Sequence, residues 1–147
     1  MLKTLLRPFL GRGKLPADVR PTLEAEGIHF LEEGLWGTIT YHNYRAPGRY
    51  SAWRKRAFVG ALVLTSKRVM ACWGRERLLD ITFDHPLLAA VKFSLEKPDC
   101  LLAAYDAARF HTDRSGQVEV RFSTPQAGRI MELLRPHLKG ASDQGEF

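Results

Sequence analysis

The chain has 147 residues, of which 45% are hydrophobic and 26% charged. That is the balance of one folded, soluble domain and excludes a disordered tail protein. At this size a chain buries roughly two thirds of its unfolded surface, so a single core needs neither disulfides nor zinc. The net charge of +6 is concentrated in two acid-free stretches, Lys3, Arg7, Arg12 and Lys14 at the start and Arg45, Arg49, Arg54, Lys55 and Arg56 further on. With those nine set aside, thirteen basic residues face sixteen acidic ones, a net of −3. A mildly acidic body with two basic features implies a directed contact with something anionic.

In chain order, Leu2, Leu5, Leu6, Phe9 and Leu10 recur at helical spacing with Lys3 and Arg7 around them, although Pro8 interrupts the pattern. They read as a membrane-surface foot or as a strap packed on the domain. The stretch is too short and too interrupted for a secretory apolar region, and no window approaches the roughly 18 to 20 continuous apolar residues of a membrane span. Residues 12–21, with Gly11 before them and Gly13, Pro16 and Pro21 among them, read as a linker. The expected organisation is therefore a basic amphipathic segment and linker over 1–20, a domain over 21–139 and a flexible polar tail over 140–147.

Thr22 to Glu26 predicts one helical turn, and seven strands follow with turn signals between them. The first runs from Leu35 to Tyr44. The second, from Trp53 to Leu64, is apolar on both faces through FVGALVL and is expected to be central. Ser66-Lys67 turns into Arg68 to Trp73, and Gly74-Arg75-Glu76 turns into Leu79, Ile81 and Phe83, which alternate with polar neighbours. The same alternation recurs in Val91, Phe93 and Leu95. Cys100 to Tyr105 comes next, and Val118, Val120 and Phe122 make the last strand.

The period then changes to 3.6. Ser123 or Thr124 suits a helix cap, Pro125 its first turn, and Ala127, Ile130, Met131, Leu134 and Leu138 form one apolar stripe. Pro136 predicts that the helix weakens near Leu134. The fold class is mainly β, about seven antiparallel strands in a bent sheet or partly open barrel capped by a C-terminal amphipathic helix.

The run GALVLTSKRVMACW, the strand opened by Leu78-Leu79-Asp80-Ile81, GQVEVRF and the helix TPQAGRIMELL resemble the pleckstrin-homology-like superfamily, particularly its bacterial and GRAM-type members. The resemblance covers about residues 27 to 138 and centres on the hairpin motif G-x-L-x-L-T-x-x-R at Gly60 to Arg68. It implies a non-enzymatic binding scaffold for phosphoinositides, peptides or proteins. Lipid-binding members carry a basic K-x(n)-[KR]-x-R pattern between their first two strands. Arg54 and Arg56 match its last part, and Arg45 or Arg49 takes the upstream position with Arg in place of Lys.

The residues themselves point to the same place. YRAPGRYSAWRKR interleaves five cations with Tyr44, Tyr50 and Trp53, which combines charge for phosphate with amphipathic rings suited to a headgroup interface. This basic loop, Arg45, Arg49, Arg54, Lys55 and Arg56 with the three aromatics, is the candidate site for an anionic membrane surface or an acidic protein partner. The competing reading is a solvated hairpin whose Trp53 packs into the core and whose arginines pair with Glu32 or Glu33. The net-negative remainder argues against a nucleic-acid groove, unless Lys67, Arg68, Arg75 and Arg77 fold beside the loop.

The five histidines are scattered without metal-ligand spacing, no cofactor box occurs, and only Asp84-His85 and His111 near Asp113 offer an acid beside an imidazole. Cys72 and Cys100 stand alone, as small buried thiols do in a reducing, cytoplasmic protein. A rival function is self-assembly or protein interaction through a free strand edge, motivated by the apolar strand Phe58 to Leu64 and by Leu87-Leu88.

Overall fold

Alternation and turn chemistry place seven strands in the computed structural model, which describes residues 13–146. They are β1 (Ile28–Ala46), β2 (Arg49–Thr65), β3 (Arg68–Trp73), β4 (Glu76–Thr82), β5 (Lys92–Lys97), β6 (Cys100–Asp106) and β7 (Ser115–Ser123). All seven belong to one antiparallel sheet in the order β4-β3-β2-β1-β7-β6-β5. Helix α1 (Arg20–Glu26) precedes them and helix α2 (Ala127–Glu146) closes the chain. The expected mainly β fold with its C-terminal helix is therefore the observed one. The N-terminal foot, Leu2, Leu5, Leu6, Phe9 and Leu10, lies outside the described residues.

Two compact units divide the chain. The chain up to Trp36 together with Phe58–Asp84 makes the first, and Gly37–Ala57 with the chain from His85 onward makes the second.

In the first unit, Phe58–Thr65 of β2 is buried at every position, as its two-sided apolar pattern predicts. The pairs Ala61↔Cys72 and Val63↔Met70 share one face of β2 and β3, while Leu62↔Ala71 and Leu64↔Val69 share the other. The segment in front of β1 supplies the cover for the first face, because Leu15 and Leu23 cluster with Ala61, Val63, Met70 and Cys72, and Val19, Ile28 and Leu31 pack on that cluster. Each such buried aliphatic side chain is worth about 1.5–3 kcal/mol relative to exposure.

This corrects the linker reading of residues 12–21 for its described part. Leu15 is core, its N–H donates to Glu33 Oε2 at 2.9 Å, and the Gly34 N–H donates to the Gly13 carbonyl at 2.8 Å. Glycines and prolines had masked two apolar anchors. Gly13 is required there, since a Cβ would stand 2.8 Å from Gly34 Cα.

In the second unit, Val118, Val120 and Phe122 of β7 are at most 2% exposed, and α2 packs on β5, β6 and the 3-10 turn Leu88–Ala90. Thr124, not Ser123, opens the helix region, its Oγ1 accepting the Gln126 N–H at 3.0 Å. Ala127, Ile130, Met131 and Leu134 are buried as the stripe predicts. The expected weakening at Leu134 does not occur. The helix continues through Pro136 to Glu146, so residues 140–146, expected as a flexible tail, lie within it. Packing of the first two turns fixes the helix, and Pro136 then removes one N–H without ending it.

Candidate anionic-surface site

The stretch expected as a basic loop is almost entirely strand. β1 and β2 continue to Ala46 and from Arg49, so the connection is the two-residue turn Pro47-Gly48, with Gly48 at φ 70°. Proline presets the first turn position and glycine accepts the positive φ of the second. β1 thus extends beyond the expected Leu35 to Tyr44 at both ends and β2 begins before the expected Trp53, because polar residues on both faces of the exposed hairpin carry no alternation.

Tyr44, expected among the interface aromatics, belongs to the core instead. It is 8% exposed, with its ring 4.7 Å from that of Tyr41. A kink in β1 accompanies this burial: Asn43 stands at φ 50°, and a Cβ on Gly116 of β7 would lie 2.5 Å from the Asn43 carbonyl oxygen. Only glycine lets β7 approach β1 that closely.

Beyond Tyr44 the hairpin is open to solvent. Arg45, Arg49, Arg54 and Lys55 are exposed and Arg56 is half-buried. Trp53 is 62% exposed and Tyr50 55%, so Trp53 does not pack into the core. The Arg45 guanidinium sits over the Tyr50 ring, 4.8 Å from its centre. Among the described residues, none of Arg45, Arg49, Arg54 and Lys55 has an acid within ion-pair distance, and Glu33 is engaged by Arg20 at 3.0 Å. Strand alternation puts Arg49, Trp53 and Lys55 on one side of β2 and Tyr50, Arg54 and Arg56 on the other. Both sides of the hairpin therefore offer charge beside an aromatic ring.

Two basic residues outside the hairpin, Arg68 and Arg77, are already occupied. Arg68 forks onto Glu26, Nε to Oε1 at 3.1 Å and Nη2 to Oε2 at 2.6 Å, and its Nη1 reaches Asp80 at 3.4 Å. Arg77 donates to Asp80 Oδ2 at 2.7 Å. Thr65 Oγ1 donates to Glu26 at 2.7 Å and accepts the N–H groups of Lys67 and Arg68 at 3.1 Å each, and the Ser66 hydroxyl donates to the Glu26 carbonyl. The Thr and Arg of the hairpin motif thus clamp a turn. Burial pushes Glu26 up, but hydrogen bonds from Arg68 and Thr65 and the charges of Arg68 and Lys67 outweigh it and hold the carboxyl below its ordinary value.

A comparable fork exists in the second unit. Arg121 Nε donates to Glu96 Oε2 at 2.7 Å and Nη2 to Oε1 at 3.2 Å, which lowers the Glu96 pKa, while Glu119 joins Arg121 at 3.5 Å to His42 Nε2 at 2.9 Å.

Neither cysteine is set up as a nucleophile. Burial pushes the Cys72 thiol up to about 11, and burial followed by the Glu96 charge raises Cys100. The strand-edge motive for self-assembly is corrected as well. Phe58–Thr65 is paired between β1 and β3, the sheet ends at β4 and β5, and Leu88 is only 4% exposed.

The chain is thus an antiparallel β scaffold with a C-terminal helix, and its hairpin carries Arg49, Arg54 and Lys55, without an acid partner among the described residues, beside exposed rings. Comparison with protein-family models, curated proteins and solved structures returns no match. Among the described residues no helix is long and apolar enough to cross a membrane.

Proposed function

We propose that this protein is a non-enzymatic binding module of the pleckstrin-homology-like kind that docks on an anionic lipid surface with the open end of the β1–β2 hairpin. The strand order and closing helix support the scaffold part of this reading. The observation that carries the surface part is the exposure of Trp53 and Tyr50 beside Arg49, Arg54 and Lys55, which have no acid within ion-pair distance among the described residues. An exposed indole flanked by Arg and Lys fits the headgroup layer, where the ring enters the apolar boundary and the cations meet phosphate. Because both sides of the hairpin carry this combination, it inserts end-on. The reading carries with it a peripheral position on the inner face of a membrane.

Each cation near an anionic surface adds about 1 kcal/mol, so Arg49, Arg54 and Lys55 together contribute about 3 kcal/mol, on the order of a hundredfold in affinity. The test is co-sedimentation of the full chain with phosphatidylserine-containing and with pure phosphatidylcholine vesicles at low and moderate salt. Binding is expected on the anionic vesicles only, to weaken with salt, and to fall by that factor in R49A/R54A/K55A. Retention that is insensitive to salt and unaltered in the variant sinks the proposal.

A further inference from the structure

The first unit contains a second basic feature that the hairpin reading does not use. A groove of about 740 Å³ opens between the segment preceding α1 and the β3–β4 turn, lined among others by Lys14, Pro16, Asp18, Val19, Arg75 and Arg77. That volume lies in the range of small-molecule sites.

Both walls are held in place. Lys14 sits between two anchored neighbours, since the Gly13 carbonyl accepts the Gly34 N–H and Leu15 is buried with its N–H on Glu33. Val19 packs on the core cluster and its N–H closes a turn onto the Pro16 carbonyl at 3.2 Å. On the opposite wall, Gly74 at φ 63° makes the tight turn that presents Arg75, and Asp80 holds the Arg77 guanidinium.

Three cations and one acid line the groove, and the cations are not equivalent. Arg77 is partly neutralised by Asp80, whereas Lys14 and Arg75 are exposed and have no ion-pair partner among the described residues. Lys14 and Arg75 are thus the groups available to a bound anion. Asp18 is an acceptor only, so beside a bound anion it selects a ligand that also brings O–H donors. Pro16 and Val19 supply an apolar wall for the ligand body.

We infer that this groove is a binding site for a phosphate ester with a hydroxylated body, in which Lys14 and Arg75 hold the phosphate and Asp18 accepts from a hydroxyl. The chemistry is shared by a free sugar phosphate and a glycosylated or inositol lipid headgroup. The site stands independently of the hairpin.

The experiment follows backbone amide shifts of the full chain on titration with glucose 6-phosphate, inorganic phosphate and glucose, alongside co-sedimentation with vesicles containing phosphatidylinositol 4-phosphate. Glucose 6-phosphate is expected to saturate shifts in residues 14–19 and 74–77, with glucose alone silent. K14A/R75A is expected to weaken that binding at least tenfold. Asp18→Asn is expected to weaken the sugar phosphate while leaving inorganic phosphate unchanged.

Binding only to the lipid, lost in K14A/R75A and kept in R49A/R54A/K55A, supports the same site with a headgroup as its source. No response to any phosphate probe overturns the inference, as does shift mapping elsewhere or unchanged affinity in K14A/R75A. Vesicle binding lost only in the hairpin variant, with no saturable response to glucose 6-phosphate, overturns it too, while leaving the hairpin reading intact. Thermal melts of the variants check that the exposed substitutions leave the fold standing.

Discussion

The Thr65–Arg68 turn and the end of the β1–β2 hairpin use the same residue type for opposite purposes. Arg68 is three-quarters buried, forked on Glu26 and in reach of Asp80, and the Thr65 hydroxyl beside it both donates and accepts. Arg49, Arg54 and Lys55 are exposed and meet no acid among the described residues. A charge held in the first way organises a chain reversal and has little left for a ligand. A charge held in the second contributes little to folding and keeps its field for whatever approaches. Basic residues in this chain are therefore sorted by their partners, and their sequence clustering alone does not reveal which group each joins.

The sharpest test of that contrast is Arg68→Ala. It strands the Glu26 carboxylate, 9% exposed, with Thr65 as its remaining side-chain donor, and is expected to cost about 2–4 kcal/mol in urea unfolding. Arg68→Lys is expected to recover only part, because a point charge cannot fork onto Glu26 while reaching Asp80.

Acid adds a second reading of the same pair. The folded-state pKa of Glu26 lies below its ordinary value of 4.5, so its contribution is complete above that value and disappears as pH falls through the lower folded one. Unfolding measured from pH 7 downward is expected to show an acid-dependent loss of stability that shrinks in the Arg68 variant. An unchanged pH profile would remove Glu26 from the account.

A smaller effect is expected from Arg121→Ala. Its fork on Glu96 is better exposed, with the Glu96 side chain at 38%, so solvent screens it and the loss is about 1 kcal/mol or less. The smallest belongs to the hairpin. R49A/R54A/K55A is expected to shift stability by no more than about 0.5 kcal/mol while changing vesicle binding a hundredfold. A destabilisation as large as that of Arg68→Ala would erase the contrast between the two regions.

Much of the fold was legible in the residues. Leu79 and Ile81, and Val118, Val120 and Phe122, alternate with polar neighbours because one face of each strand is buried. Ala127, Ile130, Met131 and Leu134 repeat at helical spacing because one stripe of α2 packs on the sheet. FVGALVL was readable as an interior strand because both its faces are apolar. The cluster of cations with Tyr50 and Trp53 was readable as a candidate site from composition, since charge and rings adjoin in sequence.

Other features depend on contacts between distant residues, and no local pattern encodes them. Leu15 is core because Leu23, Ala61, Val63, Met70 and Cys72 gather around it, although its immediate neighbours read as a linker. Tyr44 is buried, with Tyr41 against it and a kink at Asn43 opposite Gly116, while Tyr50 six residues later stays in solvent. Lys14 and Arg75, sixty-one positions apart, line one groove because the segment before α1 packs on the β2–β3 face beside the β3–β4 turn. Periodicity, turn chemistry and residue type are properties of a short stretch, so they suffice to place the buried parts of the strands, the start of the C-terminal helix and the basic cluster. Which apolar residue finds a partner, and which cation is left without one, depends on chain segments brought together in space, because each partner comes from a distant part of the chain.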